Sequence, residues 1–290
     1  MSTLSPLRYP GGKGSFTDFF GRLLALNGLE GGLYAEPFAG GAGAAVGLLI
    51  GGYVDRIAIN DADPRVFAFW KSALKNTGRF IRKIEDAALT ITEWEKQREI
   101  YLNPKGKSDL AVGFAAFYLN RTNRSGIMVN AGPIGGKAQA GKWKLDARYN
   151  KAELVKRIEK LADYGDRILL SGDDAAVFIS RIPKMAGEDP TLVYLDPPYF
   201  DKGRLLYMNS FAPEDHERLG GLMQKQSIHW VMTYDDCPEI RKIYAWANCR
   251  KFSLKYSAYE SRSGGEVLIW PESMRIPSIN GSLKIGRGRA

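Results

Sequence analysis

The spacing of short apolar segments is the feature that most constrains the fold of this chain. Seven segments have the composition of β-strands, and most of them are continuously apolar rather than alternating. Such segments are typical of strands that are buried on both faces of a sheet. The predicted strands are residues 33–35, 56–59, 167–170, 191–195, 229–233, 250–256 and 266–270.

Helical patterns fall between several of these strands, at residues 42–50, 213–226 and 239–247. An alternation of strands and helices predicts an α/β fold with an open, mostly parallel sheet. Residues 60–166, however, separate the second predicted strand from the third. Because a loop of that length is implausible in a compact domain, we predict an inserted helical subdomain there. Its helices are expected at residues 65–74, 92–102, 109–119 and 151–161.

Charge and cysteine content limit the functional classes. Lys and Arg total 41 against 32 Asp and Glu, so the formal net charge is +9, which suggests a polyanionic partner. The two cysteines and two histidines lack zinc-ligand spacing, so no metal site is expected. The first residues do not resemble a signal peptide, and residues 35–54 are too rich in glycine for a membrane span. We therefore expect a soluble cytoplasmic protein that has no membrane partner.

Residues 121–144 combine basic and apolar side chains without a single acid. Two interpretations are open: the segment is a solvated surface loop, or it is a flexible basic arm that contacts phosphates and wedges apolar side chains into a base stack. The absence of acids favours the second interpretation. The basic residues are Arg121, Arg124, Lys137, Lys142 and Lys144, accompanied by Ile127, Met128 and Trp143.

The tetrapeptide Asp196-Pro197-Pro198-Tyr199 directly follows a predicted strand. In open α/β sheets, ligands bind just beyond the carboxyl ends of the strands. Proline fixes φ and lacks an N–H donor, so this turn is stiff and its carbonyl oxygens can accept hydrogen bonds. Asp196 and a neighbouring carbonyl can together bind an exocyclic amine such as adenine N6, while Tyr199 can stack on the base. A turn that merely closes a strand is the alternative interpretation.

A second motif, Glu36-Pro37-Phe38-Ala39-Gly40-Gly41-Ala42-Gly43, joins the first predicted strand to a helix. Its glycines permit a tight turn and close approach of the backbone to a ligand. Asp61 follows the second predicted strand, where an acid can accept from a ribose hydroxyl. The motif departs from the dinucleotide-binding pattern G-x-G-x-x-G, because position 46 is Val46. The segment Arg8-Tyr9-Pro10-Gly11-Gly12-Lys13 is not a phosphate-binding P-loop, because Gly14 follows the lysine.

In this order, the motifs resemble those of the Dam-like (D12 class) DNA adenine-N6 methyltransferase family, over residues 6–270. The resemblance implies that the catalytic residues are Asp196, Pro197, Pro198 and Tyr199. Four further motifs match the family's N-terminal motif, glycine motif, ribose-binding acid and Gly-Asp-Phe motif. They imply cofactor-binding roles for Tyr9, Pro10, Lys13, Glu36, Phe38, Gly40, Asp61, Asp173 and Asp174. The segment Tyr118-Leu119-Asn120-Arg121 resembles the start of the family's DNA-contacting region.

The resemblance implies methyl transfer from S-adenosylmethionine to the N6 amine of a flipped-out adenine in double-stranded DNA, with S-adenosylhomocysteine as product. It also implies a Rossmann-like S-adenosylmethionine-dependent methyltransferase fold with a seven-stranded, mostly parallel sheet. The expected parts are a catalytic domain (residues 1–63 and 165–272), an inserted, mainly helical target-recognition subdomain (64–164) and a basic, flexible tail (273–290). A monomer, with or without an accompanying restriction endonuclease, is compatible with this expectation. The expected DNA-binding residues are Asn120, Arg121, Asn123, Arg124, Lys137, Lys142, Trp143, Lys144, Lys202 and Tyr207.

The chain departs from the family pattern at three places. Ala42 replaces a glycine, for which Gly43 is expected to compensate, and Asp174 replaces the aromatic residue of Gly-Asp-Phe. Residues 122–130 differ from those of members that read GATC, so this specificity is not transferred. Cytosine-N4 methylation, DNA binding without catalysis and an RNA substrate remain alternatives. The acid at Asp196 argues against the first, because serine is more common there in cytosine-N4 enzymes, and the intact motif argues against the second.

Overall fold

One β-sheet contains all seven strands that the sequence predicts. The computed structural model describes residues 4–8, 16–200, 211–254, 265–277 and 283–285. The sheet has eight strands in the order β3-β2-β1-β4-β5-β7-β6-β8. The strands are β1 (Leu33–Glu36), β2 (Arg56–Asn60), β3 (Ile168–Ser171), β4 (Thr191–Leu195), β5 (His229–Asp235), β6 (Asn248–Leu254), β7 (Glu266–Trp270) and β8 (Leu283–Ile285).

The strand directions define where a ligand would bind. Strands β3, β2, β1, β4 and β5 are all parallel, whereas β7 is antiparallel to both β5 and β6. The chain runs outward from β1 to β3 and then returns to place β4 beside β1. In open α/β sheets such a reversal creates a crevice at the carboxyl ends of the two central strands. Here these are β1 and β4, the strands that precede the glycine motif and Asp196.

The eighth strand was not predicted from the sequence. Residues 273–290 were expected to form a flexible tail, but Leu283–Ile285 pair with β6 in antiparallel register. The segment is only three residues long, so its own apolar pattern is too short to indicate a strand. Its main-chain hydrogen bonds to β6 provide a reason for the strand to form, because they satisfy edge groups that would otherwise face water.

Helices connect the parallel strands and cover the sheet. In chain order they are α1 (Thr17–Asn27), α2 (Gly43–Ile50), α3 (Pro64–Lys75), α4 (Thr77–Asp86), α5 (Ile91–Leu102), α6 (Asp109–Thr122), α7 (Lys151–Ala162), α8 (Ala175–Ala186), α9 (Pro213–Gln224) and α10 (Pro238–Ile243). No helix within these described ranges is both long and apolar enough to cross a membrane.

Both faces of the sheet are buried, as the continuous apolar segments predict. In β4, Leu192 and Tyr194 belong to one hydrophobic cluster, whereas Val193 and Leu195 belong to the other. Residues of α1 and α2 contribute to the first cluster, and residues of α8, α9 and α10 contribute to the second. Successive side chains of β4 therefore point to opposite faces of the sheet, and each face is covered by its own layer of helices.

Helices α3 to α7 lie between β2 and β3, where an inserted helical segment was predicted. Four of them correspond to predicted helices, but α4 was missed because only Phe80 and Ile84 are buried in its polar sequence. The ring of Phe69 in α3 lies 5.9 Å from that of Phe117 in α6 and 5.7 Å from that of Phe80. These rings belong to the same cluster as α1 and α2, so the inserted helices share a continuous core with one face of the sheet.

Candidate active site

The sequence motifs converge at the carboxyl ends of the parallel strands. Strand β1 ends at Glu36, Asp61 follows β2, Asp196 follows β4, and β5 ends at Asp235. Parallel strands place their carboxyl ends at the same edge of the sheet, so four acids that are distant in sequence share one edge. The chemistry of this edge is set by how each acid is held.

Asp196 is oriented by two buried hydroxyl groups. The Thr233 hydroxyl donates to Asp196 Oδ1 at 2.6 Å, and the Tyr194 hydroxyl lies 2.7 Å from Thr233 Oγ1. Because the single proton of Thr233 goes to Asp196, Tyr194 must be the donor to Thr233. Burial, followed by the charge of Asp196, raises the pKa of Tyr194 well above its ordinary value, so this donor stays protonated. The sequence motif identified Asp196, but it gave no indication that Tyr194 supports it.

An aromatic cluster supports the residues around the catalytic motif. The main-chain N–H of Phe200 donates to Asp235 Oδ1 at 2.9 Å. The His216 ring lies 5.0 Å from the ring of Phe200 and 5.2 Å from that of Phe211, and its Nδ1 is 2.8 Å from the Tyr234 hydroxyl. Burial lowers the pKa of His216, so the ring is neutral at neutral pH. A neutral, buried histidine in these contacts acts as a packing element of the site.

Pro197 itself is buried, and Pro198 and Tyr199 are half-buried. Phe38, from the glycine motif, is also half-buried, and its ring lies 5.8 Å from that of Phe211. The glycine motif and the segment beyond the catalytic motif are therefore in direct contact. This contact brings two of the sequence-predicted groups of site residues together.

Asp61 fixes the turn of the glycine motif. Its Oδ2 accepts from the main-chain N–H of Gly40 at 2.8 Å, and its Oδ1 accepts from the N–H of Asp63 at 2.9 Å. Gly40 has a φ of +47°, in the left-handed region that favours glycine. The Trp70 indole donates to the Gly40 carbonyl at 2.9 Å, so the turn is also held from α3.

Asn60 joins three of the strand ends and was not predicted as a site residue. Its side-chain amide donates to the carbonyls of Pro37 and Asp173 at 2.9 and 3.1 Å. Its Oδ1 accepts from the main-chain N–H of Asp173 at 3.0 Å. The residue is completely buried, so these bonds position the ends of β1, β2 and β3 relative to one another.

Glu36 is a buried acid at the centre of the sheet edge. It is 4% exposed, and its Oε1 accepts from the N–H of Ala45 in the first turn of α2 at 3.1 Å. Burial, with a smaller contribution from the nearby charge of Asp196, raises the pKa of Glu36 to about 8, while the hydrogen bond from Ala45 opposes the shift. An acid in this state is ready to ionise when a cation approaches.

Ala42 adopts the left-handed backbone conformation that glycine favours. It has a φ of +44° and lies immediately before α2. The sequence predicted that Gly43 would compensate for this alanine. Gly43 is instead the first residue of α2, so it does not compensate. A left-handed alanine carries a cost of about 1–2 kcal/mol that a glycine would avoid.

The two acids after β3 have different surroundings. Asp173 Oδ2 accepts from the Ser171 hydroxyl at 2.7 Å and also pairs with Arg181. Asp174 is exposed, and its carboxylate accepts from the N–H of Ala176 at 2.9 Å as the N-cap of α8. The capping bond gives Asp174 a structural role in place of the aromatic contact that it lacks.

The first residues of the predicted DNA-contacting segment are buried. Asn120 is fully buried; its Oδ1 accepts from the N–H of Arg8 at 2.7 Å, and its amide donates to the Arg8 carbonyl at 2.6 Å. Arg121 is 5% exposed and donates to the Pro6 carbonyl at 2.5 Å. Both side chains therefore hold the N-terminal segment instead of presenting a surface to DNA. The sequence pattern could not reveal this, because the contacts join residues more than one hundred positions apart.

Asn123 is also buried, so the structure does not present it to DNA. Its Oδ1 accepts from the Trp94 indole at 2.7 Å, and its amide donates to the carbonyl of Ile127 at 2.8 Å. Gln139 organises the following loop by donating to Ile134 and Gly136 and by accepting from the N–H of Leu145. The segment predicted as a flexible arm thus has a defined hydrogen-bonded conformation.

The remaining predicted DNA-binding residues of this loop are on the surface, and we call them the basic loop. They are Arg124, Lys137, Lys142, Trp143 and Lys144. Trp143 is 65% exposed, and the Lys142 ammonium lies 5.7 Å from its ring centre. Lys137 forms a 3.0 Å ion pair with Glu95 of α5, an acid that the sequence of the loop itself does not contain. Tyr9, Pro10, Lys13, Lys202 and Tyr207 lie outside the described residues.

No curated protein matches the chain. The sequence does match the family model of the D12 class N6 adenine-specific DNA methyltransferases over residues 9–258. The match spans the glycine turn, the inserted helices and Asp196, and therefore includes the whole sheet edge described above. This protein belongs to the D12 class N6 adenine-specific DNA methyltransferase family.

Proposed function

We propose that this adenine-N6 DNA methyltransferase holds its target amine between the Asp196 carboxylate and the main-chain carbonyl of Pro197. The observation that carries the proposal is the 2.6 Å hydrogen bond from Thr233 to Asp196 at the carboxyl end of β4. This bond fixes the carboxylate at the edge of the sheet where α/β proteins bind ligands. Two acceptors on one stiff turn suit the two N–H groups of an exocyclic amine.

The family uses S-adenosylmethionine, which supplies an electrophilic methyl group on a cationic sulfur. We propose that the glycine turn, Glu36, Asp61 and Asp173 bind it. Each Asp61 oxygen accepts one main-chain N–H and keeps a lone pair for a ribose hydroxyl. Asp173 makes its bonds to Ser171 and Arg181 through Oδ2, which leaves Oδ1 for an adenine amine. The donor set therefore fits a nucleoside with a cationic tail.

The basic loop is proposed to bind the DNA. Its exposed lysines and arginine can contact phosphates, and the exposed Trp143 ring can stack in the gap left by an extruded adenine. Extruding a base costs about a few kcal/mol, which these contacts would offset. The target adenine then reaches Asp196 and Tyr199, whose ring can stack on it.

The residues of the catalytic turn act by orientation and by charge. Asp196 and the Pro197 carbonyl accept from the two N–H groups and so direct the nitrogen lone pair at the methyl group. As the new N–C bond forms, the amine becomes positively charged, and the Asp196 carboxylate stabilises that charge. The same carboxylate can accept the proton that the amine then loses.

The substitution Asp196→Ala tests the proposal. It should lower transfer of labelled methyl groups to DNA by about 10³-fold or more, since it removes both orientation and charge stabilisation. Binding of S-adenosylhomocysteine, measured by calorimetry, should remain within about threefold of the wild type, because Glu36 and Asp61 are unchanged. Transfer at the wild-type rate would overturn the role of Asp196.

We further propose that the protein acts as a monomer in the cytoplasm, where its substrate DNA occurs. Its cysteines, Cys237 and Cys249, are both free thiols, which suits a reducing compartment. An accompanying restriction endonuclease would have to recognise the same sequence. Long-read sequencing of DNA from cells that express the protein would give the methylated sequence, and digestion of that DNA would show which endonucleases it resists.

A further inference from the structure

Four arginines meet at the N-terminal segment formed by residues 5–8, and we call them the arginine cluster: Arg8, Arg121, Arg148 and Arg157. Arg121 of α6 donates to the Pro6 carbonyl at 2.5 Å, and Arg157 of α7 donates to the Ser5 carbonyl at 3.3 Å. Arg8 belongs to the segment itself, and Arg148 is exposed just before α7. Helices α6 and α7, the residues just before α7 and the segment itself therefore bring four positive charges to one place.

The charges of the arginine cluster act on one another without a carboxylate between them. Burial, followed by the charges of the neighbouring Arg157, Arg8 and Arg148, lowers the pKa of Arg121 to about 9. The pKa of Arg8 is lowered by burial and then by Arg148. Within the described residues, no carboxylate forms an ion pair with any of the four.

The same place contains buried hydrogen-bond donors without partners among the described residues. They are Arg8 Nη1, Arg121 Nε and the Tyr149 hydroxyl. The Tyr149 ring lies 5.8 Å from that of Phe117 and 5.7 Å from that of Tyr118, so Tyr149 packs against α6, the helix that carries Arg121. Glu93, the acid that acts on Tyr149, is already bonded to Lys96 and Gln97. The cluster thus has a surplus of both positive charge and donors.

A surplus of this kind calls for an oxyanion. A phosphate group brings negative charge and several acceptor oxygens, and guanidinium groups bind it with two parallel hydrogen bonds. We propose that the arginine cluster, with Tyr149, binds a phosphate-type oxyanion. A backbone phosphate of bound DNA is one source of that group, and this part rests on the proposed function; free phosphate is the other source.

Two substitutions remove charge from the cluster without removing a hydrogen bond of the described structure. Arg8→Gln keeps the bonds to Asn120, which use only main-chain atoms of Arg8. Arg148→Gln changes an exposed residue. Arg22→Gln, on the exposed side of α1, is the matched control with the same change of charge.

The first measurement follows the melting temperature as inorganic phosphate replaces chloride at constant ionic strength, without DNA or cofactor. The wild type and Arg22→Gln should gain about 3–5 °C at saturating phosphate, because a ligand that binds only the folded state stabilises it. Arg8→Gln and Arg148→Gln should lose most of this gain. No gain in the wild type, or an equal gain in all four proteins, would overturn the proposal.

The second measurement identifies the source of the phosphate group. The salt dependence of duplex binding should lose a log–log slope of about 0.9 in Arg148→Gln relative to Arg22→Gln if a DNA phosphate occupies the site. If Arg148→Gln loses the rise in melting temperature with phosphate but keeps the salt slope of Arg22→Gln, the site is supported and its ligand is free phosphate. Neither measurement requires methyl transfer, so a failure of the proposed function would be seen separately, in the Asp196→Ala experiment.

Discussion

Thr233 shows how one buried hydroxyl can prepare a catalytic carboxylate. It accepts from Tyr194 and donates to Asp196, so its orientation is determined from both sides. The residue is fully buried, and neither bond competes with bulk water. Asp196 is therefore held before any substrate binds, which reduces the ordering that the reaction itself requires.

Replacing Thr233 by valine should remove the hydrogen bonds to Asp196 and Tyr194 while keeping the volume of the side chain. We expect kcat to fall by about 10- to 100-fold, because Asp196 loses its fixed geometry. The free energy of unfolding should fall by about 1–3 kcal/mol, since the Tyr194 hydroxyl loses its acceptor. Thr233→Ser keeps the hydroxyl and should retain most of the activity. Equal kcat values for Thr233→Val and the wild type, in steady-state assays, would contradict the argument.

The raised pKa of Glu36 predicts how the stability of the folded state depends on pH. Folded Glu36 keeps its proton up to a pH of about 8, whereas the unfolded carboxyl loses it near the ordinary pKa of 4.5. The folded state therefore binds more protons between these values, and its stability falls as the pH rises, with a slope of up to about 1.4 kcal/mol per pH unit. Above pH 8 the loss levels off. Glu36→Gln removes the titration, so urea unfolding from pH 6 to 9 should show a flatter stability profile.

The control for this experiment is Glu159→Gln, which changes an exposed glutamate of α7. Its stability should follow the wild-type pH dependence, since the substitution leaves Glu36 unchanged. The wild type and both variants are measured without cofactor, because a bound cation would alter the ionisation of Glu36. Parallel profiles for Glu36→Gln and the wild type would contradict the raised pKa.

At the residue scale, the sequence predicts the positions of acids better than their supports. Glu36, Asp61 and Asp196 could be predicted as site residues because each follows an apolar segment that reads as a buried strand. Asn60 and Tyr194 carry no such signal, since their roles depend on contacts between strands that are far apart in sequence. The conformation of Ala42 was also hidden, because only the folded backbone determines which residue of the turn takes a positive φ.

At the scale of elements, burial separates two groups of predicted DNA contacts. Helix α6 is buried along most of its length, including its polar end, so Asn120 and Arg121 have no access to the surface. The basic loop that follows is exposed. The sequence predicts strands from short, continuously apolar segments, but it does not show which polar residues at a helix end point inward. Helix α4 and strand β8 were missed for a related reason, because their formation depends on partners from elsewhere in the fold.

The basic loop provides the test at this scale. Neutralising Lys137, Lys142 and Lys144 together to glutamine should weaken duplex binding and reduce the log–log salt slope by about 0.9 for each lost phosphate contact. Stability should change little, because the three side chains are exposed and the ion pair of Lys137 with Glu95 lies at the surface. Fluorescence anisotropy at several salt concentrations measures the slope.

A second triple variant separates this effect from a change of net charge. Lys184 of α8, Lys225 directly after α9 and Lys242 of α10 are all exposed, and these helices cover the other face of the sheet. Their replacement by glutamine removes the same charge and should leave the salt slope close to that of the wild type. If both triple variants lose the same slope, the basic loop is ordinary surface and the DNA binds elsewhere.

At the scale of the whole molecule, the N-terminal segment connects the inserted helices to the glycine turn. Residues 5–8 are held by Asn120, Arg121 and Arg157 from the insertion. The hydroxyl of Ser5 donates in turn to the carbonyl of Gly41 at 2.5 Å. Residues that the sequence assigns to DNA recognition thus hold a segment that contacts the proposed cofactor site.

Asn120→Ala distinguishes this connection from a direct contact with DNA. The substitution removes the bonds to Arg8 and to the Gly126 carbonyl, and it leaves buried main-chain groups unpaired. We expect the free energy of unfolding to fall by about 2–4 kcal/mol and binding of S-adenosylhomocysteine to weaken by about tenfold or more. Arg124→Gln, on the exposed loop, should show the opposite pattern, with weaker DNA binding and unchanged stability. If Asn120→Ala instead matches Arg124→Gln in all three measurements, Asn120 contacts DNA and the segment does not link the two sites.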